Sequence, residues 1–318
     1  MDIKRIRIPG EISLLFAAMI WGAAFVAQSL GADKVSPFTF NASRSLVGAL
    51  SIAVMFLFAD RLKKRKGEKI ETGGKDLLIG GLICGILLYF AVNLQQFGIS
   101  VTSPSESLQT EAVQKANVGK VGFLTALYIV LVPIIGIFFK KKAGLGVWLS
   151  VLFALAGMYL LCIKPGFTIS ESDIYVLLCA LAFAFQIIAV DYYAPRVDCL
   201  RLSCLQFLVC GVLSAVTAIL MENVSFPTIL SAWAPILFTG VFSSGIAYTL
   251  QIVGQKTCLR PSVASLIMSL ESVFSALFGF MILNQTLSKK EGVGCLIMFL
   301  AVILAQIRFP GERQAQSK

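Results

Sequence analysis

EISLLFAAMIWGAAFVAQSLGADKVSPFTFNASRSLVGALSIAVMFLF, residues 11–58, falls without a gap on DIYVLLCALAFAFQIIAVDYYAPRVDCLRLSCLQFLVCGVLSAVTAIL, residues 173–220. The offset is a constant 162 positions, and ten residues are identical across it, among them Ile12 with Ile174, Ala32 with Ala194 and Val35 with Val197. Leu, Ala and Val match easily in apolar sequence, so the polar landmarks carry more weight. Glu11 falls on Asp173, Lys34 on Arg196, Ser36 on Asp198 and Arg44 on Gln206. A duplicated half in an apolar chain points to a carrier whose site lies between two related halves.

The 318 residues are 57% hydrophobic and only 14% charged, against roughly 25% charged in a soluble domain. The apolar runs are each close to the ~20 residues that cross a ~30 Å hydrocarbon core, where backbone groups must bond internally, so they are read as helices. Ten spans follow, at about 11–31, 37–59, 76–98, 119–139, 143–163, 173–193, 199–221, 229–252, 261–283 and 290–307. Turn chemistry at Ser36-Pro37, Gly73-Gly74, Pro165-Gly166, Phe226-Pro227 and Arg260-Pro261 marks several borders. The basic start, Met1 to Pro9, runs into apolar sequence with no convincing cleavage site, so the first run is read as a span.

With the N-terminus in the cytoplasm, twenty Lys and Arg fall in inside segments and six in outside ones, Lys34, Lys115, Lys120, Lys164, Lys289 and Lys290. Arg44 alone lies within a span. The bias places both termini inside, with Lys289-Lys290 as the clear dissent. The net charge of +10 is therefore topological and does not mark a nucleic-acid binder; the run Arg61–Lys69 faces anionic lipid or solvent. Each repeat has five spans, and an odd number inverts the second copy. The expected fold is an all-α integral membrane protein of ten transmembrane helices in two inverted five-helix repeats. It comprises a cytoplasmic N-terminus (1–10), a first repeat (11–163), a second repeat (173–307) and a cytoplasmic tail (308–318).

The repeat continues beyond its second span. Gly98 matches Gly254, which sets Gln95 on Gln251; Phe123–Gly136 matches Leu266–Gly279, which sets Tyr128 opposite Glu271. Between these anchors the first half carries 13 extra residues around 103–115, SPSESLQTEAVQK. Their Ser-x-Glu start fits a short exposed helix outside the membrane, either a spacer or a lid.

The chain has no His and no CxxC, which excludes a His-ligated metal, a Ser-His-Asp triad and a Cys-His pair. It has no GxxxxGK[ST] phosphate loop. The eight Cys lie mostly in apolar runs, as small packing residues do. No enzyme, cofactor or metal is expected. A charge near the bilayer centre costs at least ~2.5–3.5 kcal/mol and needs a reason. Arg44, about eight residues into its span, reads as an anchor for an anionic group or protein carboxylate, or as a structural Arg that snorkels outward. Glu271, about eleven residues into its span, is the deepest charge. It is a proton-coupling candidate and a ligand for a cation, or an acid kept protonated between helices. Asp191, beside Arg196, reads as an interfacial acid. Deep amides usually bond across helices for ~0.6–2 kcal/mol, but Gln95 and Gln251 recur at equivalent places and favour a shared central cavity. The substrate-binding candidates are Arg44, Glu271, Trp21, Asn41, Gln95, Tyr128, Gln206, Tyr248 and Gln251. Small residues such as Gly22 in span one and Gly80, Gly81 and Gly85 in span three allow close helix contact.

MIWGAAFVAQ (19–28), PFTFNASRSLVGAL (37–50), NLQQFGISVTS (93–103), KVGFLTALYIVLVPIIG (120–136) and the long segment AYTLQIVGQ to KKEGVG (247–294) together resemble the EamA family of the drug/metabolite transporter superfamily, over nearly the whole chain. The resemblance implies an inner-membrane carrier of small organic molecules, often an exporter, working by alternating access around a central cavity. Arg44 and the Leu270-Glu271 pair match family positions. The chain departs from the pattern where the family often has Gly-Glu, at Lys140-Lys141 and Asn284-Gln285, and where Ser272 replaces a Pro. The expected activity is secondary transport of a small metabolite or amphipathic compound, with protons as a partner through Glu271 and membrane lipids as surroundings. A homodimer is left open. The alternative reading is a flippase for a lipid or lipid-linked headgroup bound at Arg44.

Overall fold

The structure is a computed structural model, and it describes residues 10–67, 73–101, 121–141, 143–163, 171–258, 260–283 and 288–306. The 103–115 insertion, the two terminal segments and Asn284-Gln285 lie outside the described residues. Among the described residues the regular structure is helical throughout. In chain order the helices are α1 (Gly10–Ala32), α2 (Pro37–Arg65), α3 (Gly74–Val101), α4 (Val121–Phe138), α5 (Leu145–Cys162), α6 (Glu171–Tyr193), α7 (Cys199–Met221), α8 (Trp233–Cys258), α9 (Pro261–Met268 and Glu271–Leu283) and α10 (Lys289–Gln306). The first nine are long and apolar enough to cross a membrane; α10 opens on Lys289, Lys290 and Glu291, which dilute its apolar run.

The packing repeats itself under exchange of the two halves. α2 packs along α7 and α5 along α10, while α3 lies against α6 and α7 as α8 lies against α1 and α2. α4 lies against α6 as α9 lies against α1. The ends of the α2–α7 pair are tied by equivalent residues. Arg201 Nη2 donates to Asp60 Oδ2 at 2.5 Å. At the opposite end, Thr39 donates its backbone N–H and its hydroxyl to Glu222 Oε2 at 2.8 and 2.7 Å. Asp60 and Glu222, like Thr39 and Arg201, are 162 positions apart. The same offset that aligns the sequences thus relates the bonds.

The polar ends sort onto two faces. Asp60, Lys63, Asp198 and Arg201 meet on one of them, where Lys141 also pairs with Asp191. Asp191 is buried, and its partner is Lys141, while Arg196 turns back onto the Tyr192 carbonyl and ring. On the other face the lysines are spent on helix ends. Lys290 Nζ donates to Ile163 O at 3.0 Å, at the end of α5, and Lys34 Nζ donates to Ser231 O at 3.3 Å, at the end of the short helix Phe226–Ser231. A cation at a helix C-terminus satisfies orphan carbonyls and opposes the negative dipole end. That local use accounts for a lysine on the face that otherwise carries few.

Four helices differ from the regular spans expected. α2 continues through its basic end to Arg65, six residues beyond the expected 59. α8 starts at Trp233 and carries a π-helical stretch, Thr239–Ala247, whose small residues sit against α2. A Cβ on Gly240 would lie 3.0 Å from the Arg44 carbonyl oxygen, and one on Gly48 would lie 2.5 Å from Ser244 Cβ. Finally, α4 and α9 are each interrupted by a tight turn at equivalent places. Leu127 N–H donates to Leu124 O at 3.3 Å, and Leu270 N–H to Ile267 O at 3.2 Å. In α9 the Ser265 and Ser269 hydroxyls bond back to the Ser262 and Leu266 carbonyls, a local competition that bends helices.

α4 ends in a Schellman closure: Lys141 N–H donates to Gly136 O at 2.8 Å and Lys140 N–H to Ile137 O at 3.0 Å. Lys140 takes φ 59°, a conformation that suits glycine. This is one place where the sequence departs from the Gly-Glu pattern. Lys140→Gly is expected to stabilise the protein by about 0.5–1 kcal/mol, the left-handed strain relieved less the added chain entropy. A rise in the thermal unfolding midpoint in detergent checks it.

Candidate functional site: a polar cavity between the halves

A cavity lies between the repeats, walled by α1, α2, α3, α4, α6, α8 and α9. α5 and α10 contribute none of its lining residues and pack on each other. Seven of the nine candidates line it: Trp21, Arg44, Gln95, Tyr128, Tyr248, Gln251 and Glu271.

Arg44 is 3% exposed. Its Nε donates to Asn41 Oδ1 at 2.6 Å, one helical turn back, and its Cζ lies 5.9 Å from the Phe40 ring centroid. Asn41 is held by Nδ2 bonds to Val92 O and Asn93 Oδ1, both at 3.0 Å, and Asn93 Nδ2 donates to Ser214 Oγ at 2.9 Å. Asn41 is therefore not a cavity residue: it sits behind Arg44 and orients it. Gln206 is the second candidate displaced from the wall. It accepts from Gln186 Nε2 at 3.3 Å, and Gln186 Oε1 accepts from Gln251 Nε2 at 3.1 Å. This amide chain aims Gln251 at the cavity, and its Oε1 has no partner.

Glu271 is 7% exposed and begins the second half of α9, just after the turn at Leu270. Tyr128 begins the second part of α4, just after the turn at Leu127. The two turns bring these repeat-equivalent residues together: Tyr128 Oη donates to Glu271 Oε1 at 3.3 Å. A carboxylate in the first turn of a helix is favoured by the dipole. Aromatic rings form much of the remaining wall. Trp21 meets Tyr248 edge-on at 4.8 Å between centroids, Tyr248 meets Phe207 at 5.0 Å, and Tyr128 meets Phe183 at 6.5 Å. Trp21 Nε1 and Gln28 Oε1 are buried on this wall without a partner.

Thr125, Ser243, Phe25, Ile187 and Met268 also line the cavity and were not singled out by sequence. Thr125 had a usable signal, as a hydroxyl in an apolar span three positions before Tyr128, and it accepts from Gln95 Nε2 at 3.4 Å. Ser243 had none of its own, although Pro235 and Gly240 flag the irregular helix that turns it inward.

A model of the EamA-like transporter family matches residues 8–163 and, a second time, residues 171–306. The chain belongs to the EamA-like transporter family. It is a multi-pass membrane protein with the family's two repeated halves. An uncharacterized transporter of Archaeoglobus fulgidus is 28% identical over 308 residues, covering 95% of this chain and 87% of the relative. The uncharacterized transporter YoaV of Bacillus subtilis is 20% identical, over 94% of this chain and 97% of the relative. A solved crystal structure superposes with a TM-score of 0.70 at 18% identity, covering 93% of this chain and 96% of that one, and shares the fold.

Proposed function

We propose that this EamA-family protein is a secondary transporter that exports a small organic metabolite or amphipathic compound across the cytoplasmic membrane by alternating access. The carrying observation is the cavity between the halves, with buried Arg44 on one repeat and buried Glu271 on the other. Protein interiors in a membrane retain such charges for a ligand or ion pathway. The two repeats give alternation a mechanical basis, because exchanging their conformations exchanges the open face. Glu271 would carry the coupling proton. The face gathering Asp60, Lys63, Lys141 and Arg201 would be cytoplasmic, with both termini on that side.

Metabolite profiling of cells that overproduce the protein tests this reading. The expected result is one compound, or one class, depleted inside and enriched outside relative to cells producing an Arg44→Gln variant. Identical profiles for wild type, variant and empty cells would overturn it.

A further inference from the structure

We propose that the cavity takes a ring-bearing organic monoanion, its carboxylate held by the Arg44 fork and its ring by Trp21, Tyr248 and Phe183. The inference deepens the transporter reading above and rests on it. Arg44 is always charged, yet among the described residues no carboxylate lies within ion-pair distance of it. Its Nε is spent on Asn41, which fixes the plane of the guanidinium. Among the described residues no hydrogen-bond partner takes its Nη groups, which leaves the planar fork that binds carboxylates through two parallel bonds.

The charge of the ligand follows from the count of cations on the wall. Among the described lining residues Arg44 is the one cation, which matches a monoanion and falls short of a phosphate dianion. Glu271 already has a donor in Tyr128, so the wall does not require a ligand ammonium to satisfy it. The shape follows from the rings: Trp21 and Tyr248 form an edge-on corner, and Phe183, against Tyr128, lines the cavity from α6. The polar atoms left over give the rest of the pattern. Gln28 Oε1 and Gln251 Oε1 are buried acceptors without donors, and Trp21 Nε1 is a buried donor without an acceptor. A hydroxyl on the ligand's ring could donate to one of the two amide oxygens and accept from Trp21 Nε1.

The test uses purified full-length protein and five probes: 3-(4-hydroxyphenyl)propanoate, its primary amide, 3-phenylpropanoate, octanoate and tyrosine. Binding is measured by calorimetry in detergent and exchange by counterflow in proteoliposomes. The hydroxyphenyl acid is expected to bind about 10–100-fold tighter than its amide, the range of a charge-assisted hydrogen-bond pair, and tighter than octanoate or tyrosine. Loss of the ring hydroxyl should cost several-fold. Arg44→Gln should bind acid and amide alike, while Arg44→Lys, which keeps the charge and the fold, should retain part of the preference. Equal binding of acid and amide by wild type, or tighter binding of tyrosine, would overturn the proposal. If no probe binds while overproducing cells still change their metabolite profile, this inference fails and the transport reading stands. If the acids bind but none exchanges in counterflow, the site stands and the transport reading fails.

Discussion

Glu271→Gln is expected to leave a folded protein whose transport no longer responds to a pH gradient. The substitution keeps volume and shape, and glutamine Oε1 can accept the same bond that Tyr128 Oη now donates at 3.3 Å. What it removes is the only step at this position that moves a proton. In proteoliposomes carrying the substrate found by metabolite profiling, an imposed gradient of about one pH unit, worth about 1.4 kcal/mol per coupled proton, should bias wild-type transport up to about tenfold. The variant should run at the ungradiented rate in both conditions. Tyr128→Phe separates position from proton: the acid remains but loses its donor, so the response to the gradient should persist with reduced flux. Equal stimulation of wild type and Glu271→Gln would remove Glu271 from the coupling path. The two variants together then distinguish a proton carrier from a carboxyl that merely ties α9 to α4.

The repeat was legible in the sequence because α1, the short connection and α2 match α6 and α7 with no insertion, so one offset also relates the Asp60–Arg201 and Thr39–Glu222 bonds. Arg44 and Glu271 were legible because a charge in an apolar span is conspicuous whatever surrounds it. Spacing also reports depth well: eight of the nine candidates are buried, and Trp21 is partly so. It reports direction around the helix poorly, since all faces of these helices are apolar. Asn41 and Gln206 therefore read as wall residues although they stand behind it, and nothing in the sequence sets Phe25, Ile187 and Met268 apart from packing residues. For Asn41 the clue was present, because three residues separate it from Arg44 and neighbours at that spacing touch. The turns in α4 and α9 left no trace: Leu127 and Ser269-Leu270 are ordinary helix residues, and what marks the place is serine back-bonding and the pairing of the two half-helices. The proton candidate was thus visible, while the local geometry that brings Tyr128 to it was not.

Gly157→Val should cost the protein more than any single change in the cavity. α5 and α10 meet backbone to backbone: a Cβ on Gly157 would lie 2.8 Å from the Gly294 carbonyl oxygen and 2.9 Å from Met298 N. A Cβ on Gly294 would in turn lie 2.6 Å from Gly157 O and 2.8 Å from Leu161 N. Backbone atoms cannot rotate aside as a side-chain end can, so a branched side chain must separate the helices along their length. Overpacking costs typically 1–3 kcal/mol and more where the neighbour is fixed; about 3 kcal/mol is expected here. Because membrane helices associate by close packing of small residues rather than by the hydrophobic effect, lipid offers no compensation for the lost contact. The thermal unfolding midpoint in detergent should fall sharply for Gly157→Val and by less for Gly157→Ala. Adding Gly294→Val to Gly157→Val should cost little more, since one contact is lost only once. Gly292, one turn from the seam, is the control: nothing lies within 4 Å of a Cβ there, so Gly292→Ala should hold or gain about 1 kcal/mol from helix propensity. Since α5 and α10 supply no cavity residue, protein that remains folded at low temperature should still bind 3-(4-hydroxyphenyl)propanoate with wild-type affinity. An unchanged midpoint for Gly157→Val would show that the two helices part without loss, and that the rest of the bundle holds the fold.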